Sequence, residues 1–552
     1  LKSIPLSQEM KALSGLQGNS ATPQQLMNAL LKAPVDLIWF GGIGTYVKSS
    51  QESQSEVGDR SNDPIRANTA EIRAKVIGEG ANLAITQHGR IEFARRGGRI
   101  NSDAIDNSAG VNSSDLEVNI KIALGAAEAA GRLDRPGRNR LLAEMTDEVA
   151  ELVLRNNYLQ TLCLTLAVAR GTEESGYAIL LMHDLETLGL LDREREALPS
   201  DSEVLARDAR REMLTRPEFA ILLAYAKIAL NHELMESSML DDPYLSRELL
   251  RYFPQRMVPE FEKDIKHHRL GREIVATMLS NSIVNRMGPS FAARLTSETG
   301  AHAAEIAAAF AVARDSFDLL SLNRLVDALD NKVPAELQTK LYLELQSLLR
   351  RATTWFLRNT ELKGGLSDIV TRYGQGIEEL GKQLDACLPE AAKAGLERRA
   401  AEMQEAGVPQ ALARRLAGLA YLQRAPDIVQ VAAQSGAELT TAAQTFFASG
   451  VRFDIDRLIG RAGGLVAKDF FERLAINRTI DQVFLAHRIL NKNILASFKS
   501  SPDPWSAWAS ANEGRINHAA KIVGELLSDK HFDLAKLAVA QGLLSDLAAS
   551  RT

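Results

Sequence analysis

KVIGEGANLAITQHGRIEFARRGGRINSDAIDNSAGVNSSDLEVNIKI, residues 75–122, is the stretch whose changing pattern decides the fold. A short apolar piece at Val76 and Ile77 leads into the turn GEGAN, residues 78–82. An amphipathic segment follows, then the small polar run NSAGV at residues 107–111, then a helical pattern. Small residues at strand ends let a ligand approach the backbone, and side-chain amides there supply directional hydrogen bonds. The stretch therefore predicts the ligand-binding edge of a sheet.

The chain before this stretch has the alternation of an α/β domain. Residues 35–40 (VDLIWF) are mostly apolar and end at glycines that include Gly42, which predicts a buried parallel strand opening onto a ligand crevice. The polar, turn-rich residues 48–66 predict a surface connection or a lid. Extended pieces at 75–77 and 99–101 flank a short segment at 91–96. We therefore expect the tail of a doubly wound, Rossmann-like sheet.

Helical periodicity begins near Ser114 and continues almost to the end of the chain. Ser114 and Glu117 have the spacing of a capping box, which predicts that a helix begins there. Beyond Arg132, apolar residues recur at three-and-four spacing in segment after segment. The predicted fold is mainly α, with a partial α/β (Rossmann-like) N-terminal part at residues 1–125. An irregular helical region, as one body or two subdomains, is expected at residues 126–552.

Composition excludes several classes of function. A formal net charge of -5 argues against nucleic acid as a partner, because phosphate binding needs a basic face. The apolar runs are too short for a membrane span. Cys163 and Cys387 lie far apart in the sequence, so both are expected to be reduced core residues of a cytoplasmic protein. The adjacent His267 and His268 lack metal-ligand spacing, and no metal site is predicted.

The two asparagines of the quoted stretch allow two interpretations. Asn82 and Asn107 each follow an extended or apolar piece, so their amides can point into the crevice and bind a ribose or a carboxamide. Asparagine also caps turns frequently, without any ligand. The spacing alone leaves both interpretations open.

The motifs resemble those of a known family. GEGAN at 78–82 followed by the D-x-x-x-N-x-x-G-V-x-x-S-x-x-E pattern at 103–117 resembles the second half of the nicotinamide-binding domain of glutamate dehydrogenases. Further motifs are similar to the large-subunit bacterial NAD-specific branch, and the resemblance covers essentially the whole chain. These further motifs are DLIWFGGIGTYV at 36–47, VGDRSND at 57–63, LRNNY at 154–158 and RPEF at 216–219.

The resemblance implies NAD as the cofactor and a role for each matching residue. Asn82 would lie beside the cofactor ribose and Asn107 beside the nicotinamide carboxamide. The protein backbone at Gly80 and Gly42 would also contact the cofactor. Ser114 matches the serine that holds the distal carboxylate of the substrate. Two departures bear on these roles: the family's N-A-G-G-V is NSAGV here, and the aromatic residue after the serine is an aspartate.

The family's catalytic lysine, its acid-base aspartate and its glycine-rich phosphate turn match no stretch of this sequence. We therefore expect no catalytic residue here and interpret the chain as the C-terminal portion of a longer, homo-oligomeric enzyme. The implied reaction is oxidative deamination of L-glutamate to 2-oxoglutarate and ammonium, and the isolated chain is expected to be inactive. A helical oligomerisation or regulatory module, and a dehydrogenase of another amino acid, are the alternatives.

Overall fold

The chain folds into two compact units. A computed structural model describes residues 2–468 and 470–549, and contacts between Cα atoms divide the chain into Leu1–Ala307 and Ala308–Thr552. Helices make up most of the described residues, so the prediction of a mainly α protein is confirmed. The predicted domain boundary after residue 125 falls within the continuous helix Ser108–Ala129 and stays a prediction.

The described part of the chain holds no helix that is both long enough and apolar enough to cross a lipid bilayer.

The strands of the first unit are short and pair in twos. Leu37–Phe40 lies parallel to Val76–Glu79, and a single further bridge joins Val76 to Arg99 on the other side. The Rossmann-like character of residues 1–125 stays a prediction, because the parallel pairing is confined to short, two-stranded sheets. The remaining pairs are Ile4–Pro5 with Ser20–Ala21, antiparallel, and Val47–Lys48 with Ala67–Asn68, parallel.

The first predicted strand is parallel, as expected, but it is not buried. Leu37 and Trp39 are 55% and 60% exposed, whereas Phe40 is buried and the partly buried Ile38 packs against the same core cluster. Val76–Glu79 covers one edge of the strand, and alternate side chains point to opposite faces, so one face of this strand remains open. The apolar run predicted a buried strand, and that expectation is wrong.

The polar segment 48–66 is held by one buried arginine. The Arg66 guanidinium, fully buried at its side chain, donates from Nε to the Thr45 carbonyl oxygen at 2.9 Å and also contacts Gln54 and Asp63. Short helical segments at Gln54–Val57 and Arg60–Asn62 fill the stretch. Composition predicted a surface connection or a lid. Residues 50–64 are all at least partly exposed, and the Arg66 bonds tie the segment to the strand at Val47.

The helix Ser108–Ala129 begins earlier than predicted. Asn107 occupies its N-cap position, and Ser114 lies two turns inside it, so the predicted capping box at Ser114 is wrong. The local spacing of serine and glutamate was satisfied, but the preceding residues were already helical, which leaves no free N–H group for Ser114 to cap. The apolar face of this helix is buried, at Leu116, Ile120, Ala123, Leu124 and Ala127.

The other helices of the first unit surround this small sheet region or pack on one another. A buried cluster that includes Phe40, Ile77, Ile85 and Phe93 joins the sheet to the helix Gln87–Arg95. Besides Gln54–Val57, the α-helices outside the quoted stretch are Gln8–Ser14, Pro23–Leu31, Arg135–Glu144, Thr146–Ala169, Ser175–Thr187, Asp201–Ala209, Arg216–Met235, Ser246–Tyr252, Val258–Lys266, Gly271–Met287 and Phe291–Thr299, and Ala303–Ser316 crosses the division between the units.

All of the regular secondary structure in the described residues of the second unit is helical. Its apolar residues include a large buried cluster with Phe453, Leu490, Trp508 and Leu544. Cys387 here and Cys163 in the first unit are both buried free thiols, as predicted. The helices are Leu319–Asp327, Ala335–Asn359, Leu366–Lys382, Leu384–Cys387, Glu390–Glu405, Gln410–Leu422, Ala425–Ser435, Leu439–Arg452, Ile455–Gly463, Phe470–Ser497, Pro504–Ala511, Glu513–Ser528 and Leu534–Ala549.

Candidate functional site

The two asparagines singled out in the sequence meet in the structure. The Asn107 Nδ2 donates to the Asn82 Oδ1 at 3.2 Å, although 25 residues separate them along the chain. Each amide has one donor group and one acceptor oxygen, so a single bond between them leaves the Asn107 oxygen and the Asn82 amino group available. Asn82 is exposed and Asn107 is partly exposed. The pair therefore presents one acceptor and one donor side by side to the surface.

A buried ion pair supports the turn that carries Asn82. Glu79 is fully buried at the end of its strand, and Arg90 donates to both of its carboxylate oxygens, at 2.7 and 2.8 Å. Arg90 also reaches Asp103 at 3.2 Å. Asp103 in turn accepts the backbone N–H of Leu83 at 2.8 Å. The guanidinium thus connects the strand end to the residue that follows Asn82.

A second carboxylate supports Asn107 from the preceding residue. Asp106 accepts the backbone N–H of Glu79 at 3.0 Å and the side-chain amide of Asn101 at 2.8 Å. Arg216 donates to the Asn101 oxygen at 2.9 Å. Burial raises the pKa of Asp106 and of Glu79 above their ordinary values, because desolvation disfavours the charged form of a carboxyl. These bonds set the two asparagine-bearing segments at a defined separation.

The predicted glycines differ in their surroundings. A Cβ atom on Gly80 would lie 2.5 Å from the Trp39 ring, so the indole occupies the space that a side chain at residue 80 would need. A Cβ atom on Gly42 would meet no atom within 4 Å. A ligand can therefore reach the backbone at Gly42 from solvent. At Gly80 the Trp39 ring already fills the adjoining space.

Ser114 lies on the same helix as Asn107 and is exposed. Seven residues separate them, which is nearly two turns, so both lie on one face of the helix about 10 Å apart along its axis. Val111, between them on that face, is also exposed. The structure thus brings Asn82 and Asn107 into contact and sets Ser114 on the same side of the helix.

Reasoning from the sequence missed the charged residues that hold this arrangement. Glu79, Arg90, Asp103 and Asp106 all lie in the quoted stretch, and Arg216 lies in the RPEF motif. The signal that could have found them is the carboxylate of Glu79 inside an otherwise apolar strand, because a buried charge requires a partner.

Among the described residues, no group of three or more histidine, cysteine, aspartate or glutamate side chains is arranged to hold a metal ion. His268, considered in the sequence, instead interacts with the Asn119 carbonyl oxygen at 3.1 Å through Nε2.

Comparisons with known proteins match nearly the whole chain. The family model described as the C-terminal part of glutamate dehydrogenase matches residues 211–546, and the model for the catalytic domain of bacterial NAD-glutamate dehydrogenase matches residues 1–167. The NAD-specific glutamate dehydrogenase of Halomonas elongata is 39% identical over 557 residues, and that of Pseudomonas aeruginosa 40% over 553, with 100% of this chain covered in both. The Mycobacterium tuberculosis enzyme of the same name is 35% identical over 98% of the chain.

The chain spans about a third of the length of these curated relatives, since the matched region is 34% of each. The family model for the C-terminal part alone covers more than half of the chain. The GEGAN and NSAGV segments, whose asparagines are in contact, lie within the region that the catalytic-domain model matches. From these matches, the chain belongs to the bacterial NAD-specific glutamate dehydrogenase family.

Proposed function

We propose that this chain is part of an NAD-dependent glutamate dehydrogenase, which converts L-glutamate, NAD⁺ and water into 2-oxoglutarate, ammonium, NADH and one proton. The observation that carries the proposal is the contact between Asn82 and Asn107. The Asn107 oxygen that this contact leaves available can accept a hydrogen bond from a carboxamide, and the Asn82 amino group can donate one to a ribose hydroxyl. NAD, when bound, accepts the hydride from the glutamate α-carbon.

In this proposal, the residues of this chain bind and orient NAD and glutamate. Asn107 holds the nicotinamide carboxamide and Asn82 the adjoining ribose. The open backbone at Gly42 lies along the cofactor, whereas at Gly80 the Trp39 ring would have to move before the cofactor could reach the backbone. Ser114 receives the distal carboxylate of glutamate, on the same helix face as Asn107. The buried Glu79–Arg90 pair limits the movement of these groups. Holding two reactants in a fixed geometry is a large part of catalysis in such a reaction.

The proton-transfer groups come from outside this chain in this proposal. We infer that the catalytic lysine, the acid-base aspartate and the phosphate-binding turn belong to an upstream part of a longer enzyme, of which this chain is the C-terminal portion. Residues 1–125 then form half of a Rossmann-like cofactor domain, with residues 126–552 as a helical region. The fact that the matched relatives are about three times as long supports this division of roles.

The binding role of Asn107 is tested in the full-length enzyme with Asn107→Ala. Losing a hydrogen bond of about 1.4 kcal/mol should raise the KM for NAD about tenfold. The matched control is Asn512→Ala, because Asn512 is likewise partly exposed at a helix N-cap without a side-chain capping bond. The control should leave the KM for NAD unchanged. An unchanged KM for NAD in Asn107→Ala would refute the assigned contact.

The isolated 552-residue chain should show no glutamate-dependent formation of NADH, because the proposed proton-transfer groups lie elsewhere. Absorbance of NADH in the presence of saturating glutamate and NAD measures this directly. Activity of the purified chain at the level of a complete dehydrogenase would place the catalytic groups within these residues.

We propose further that the enzyme is a cytoplasmic homo-oligomer whose helical region contributes to subunit packing. The reduced, buried Cys163 and Cys387 support a reducing compartment. Most of the helical residues have no assigned chemistry, and such mass commonly packs between subunits. Light scattering at micromolar concentration tests the assembly, and a monomer would contradict it.

A further inference from the structure

The first unit contains a cavity that the proposed reaction does not use. Its volume is about 520 Å³, within the range of pockets that hold small organic ligands. One wall is the second half of the helix Ser108–Ala129, with Val118, Ile122 and Gly125. The opposite side is the connection between the helices Val258–Lys266 and Gly271–Met287, with His267 and Arg269. The cavity therefore has an apolar wall and a polar rim.

The cavity is separate from the proposed cofactor contacts. Lys121, in its lining, follows Asn107 by fourteen residues on the same helix. At about 1.5 Å of rise per residue the two positions are about 20 Å apart along the axis. A ligand of the cavity would thus touch neither Asn82 nor Asn107.

The charges around the cavity are unequally satisfied. Asp264 is bound by both Arg132 nitrogens, at 2.6 and 2.8 Å, so its negative charge is already compensated. Lys121 pairs with the exposed Glu117 one turn before it. Arg269 is exposed and forms no ion pair within the described part of the chain. The cationic groups that remain for a ligand are therefore Arg269 first and the solvent-accessible Lys121 second.

The two histidines of the lining differ in state. His268 Nδ1 accepts the backbone N–H of Leu270 at 3.1 Å, so its proton lies on Nε2 and is donated to the Asn119 carbonyl oxygen. Burial lowers the pKa of His268, which keeps the ring neutral. His267 is exposed, and its Nδ1 lies 2.7 Å from the Lys263 carbonyl oxygen. Both ring nitrogens of His268 are therefore held by backbone groups, and its neutral ring lines the cavity. The bond at His267 involves only Nδ1 and does not engage Nε2.

We propose that this cavity binds a small organic anion with an apolar body, its acidic group at Arg269 and Lys121 and its body against Ile122 and Gly125. An apolar wall of this extent favours a ligand with an apolar part over a fully polar dicarboxylate, because desolvating the wall is favourable only against apolar surface. A guanidinium with no carboxylate partner is the group best suited to a phosphate or carboxylate. This assignment stands independently of the proposed dehydrogenase role.

Gly125→Leu tests the cavity without weakening the helix. A Cβ atom at Gly125 meets nothing within 4 Å, so the leucine side chain can enter the cavity, and leucine favours helix more than glycine does. Gly524→Leu is the matched control, because Gly524 is also a half-buried helical glycine with nothing within 4 Å. The probe is phenyl phosphate, which combines a flat apolar ring with an anionic group. Calorimetric titration of the 552-residue chain measures its binding.

The expected result is millimolar or tighter binding of phenyl phosphate to the unchanged chain and to Gly524→Leu, with at least a tenfold loss in Gly125→Leu. Arg269→Gln should also weaken binding at least tenfold, while Arg210→Gln, an exposed arginine paired with Glu212, should not. Phenol and inorganic phosphate, titrated separately, should each bind more weakly than phenyl phosphate.

Three results would overturn the proposal: no binding of phenyl phosphate to the unchanged chain, equal binding to Gly125→Leu, or binding of phenol as tight as that of phenyl phosphate. Far-ultraviolet circular dichroism confirms that each variant is folded. Because Asn107 lies outside the cavity, Asn107→Ala should bind the probe normally, which separates this test from that of the cofactor site.

Discussion

At the scale of single residues, Glu79 and Arg90 hold the turn that carries Asn82 in place. Glu79 is 0% exposed and Arg90 4%, and they share two hydrogen bonds. Removing both charges from water is costly, and their mutual attraction offsets that cost only with good geometry. The pair holds the turn before Asn82, so its loss acts on stability and on the site together.

Arg90→Met should lower the free energy of unfolding of the first unit by about 3–5 kcal/mol, because it leaves the buried Glu79 without a cationic partner. Arg95→Met, on the same helix but half exposed and paired with Glu203 only at 3.6 Å, is the matched control. It should change stability by less than about 1 kcal/mol. Urea unfolding of both variants gives the comparison, and equal stability of the two would show that the buried pair contributes nothing.

At the scale of elements, a buried polar contact joins two helices of the second unit. His487 on the helix Phe470–Ser497 lies 2.9 Å from Ser449 Oγ on the helix Leu439–Arg452. Ser449 also donates within 3.0 Å of Asn491 Oδ1. Burial lowers the pKa of His487 to about 3, because the charged ring would lose its water. The three residue types resemble a catalytic constellation, but His487 is 2% exposed and Ser449 0%, so no substrate reaches them.

The pH dependence of this contact has a definite sign. The unfolded chain takes up a proton at His487 below about pH 6.5, whereas the folded unit does not until about pH 3. The contribution of His487 is therefore fully present above pH 6.5 and is lost as pH falls, at about 1.4 kcal/mol per pH unit.

His487→Leu should remove that dependence. Between pH 6.5 and 4 its stability should fall less steeply than that of the unchanged chain, measured by urea unfolding at several pH values. Other titrating groups act in both proteins, so the difference between the two slopes isolates His487. Parallel slopes would show that the ring is protonated in the folded unit.

At the scale of the whole molecule, each of the two units has an apolar core of its own. The cluster around Phe40 and Phe93 belongs to Leu1–Ala307, and the cluster around Phe453 and Leu490 belongs to Ala308–Thr552. These two clusters have no residue in common, which favours separate cooperative transitions, because chains of this length commonly fold domain by domain.

Scanning calorimetry should therefore resolve two transitions in the 552-residue chain. Arg90→Met should lower the midpoint of only one of them, and His487→Leu, at pH 5, should shift only the other. The expected shift is about 2–4 °C for each kcal/mol of changed stability. A single transition that moves in both variants would mean that the two cores unfold as one.

The sequence by itself determined the mainly helical class and the two strands Leu37–Phe40 and Val76–Glu79, because periodicity and turn residues are local signals. Local sequence patterns gave wrong predictions where residues distant in the sequence or the preceding turn of helix determine the structure. Ser114 had the spacing of a cap but lies inside a helix, and residues 37–40 had the apolarity of a buried strand but one open face.

Only the tertiary structure decided which side chains meet. The bond between Asn82 and Asn107 and the Glu79–Arg90 pair join residues 25 and 11 positions apart, and no periodicity of the sequence specifies such distances. The sequence supplied the amides and the charges of residues 79–107. The packing of the strand Val76–Glu79 against the helices that follow brought them together, since a buried charge is stable only where the fold provides its partner.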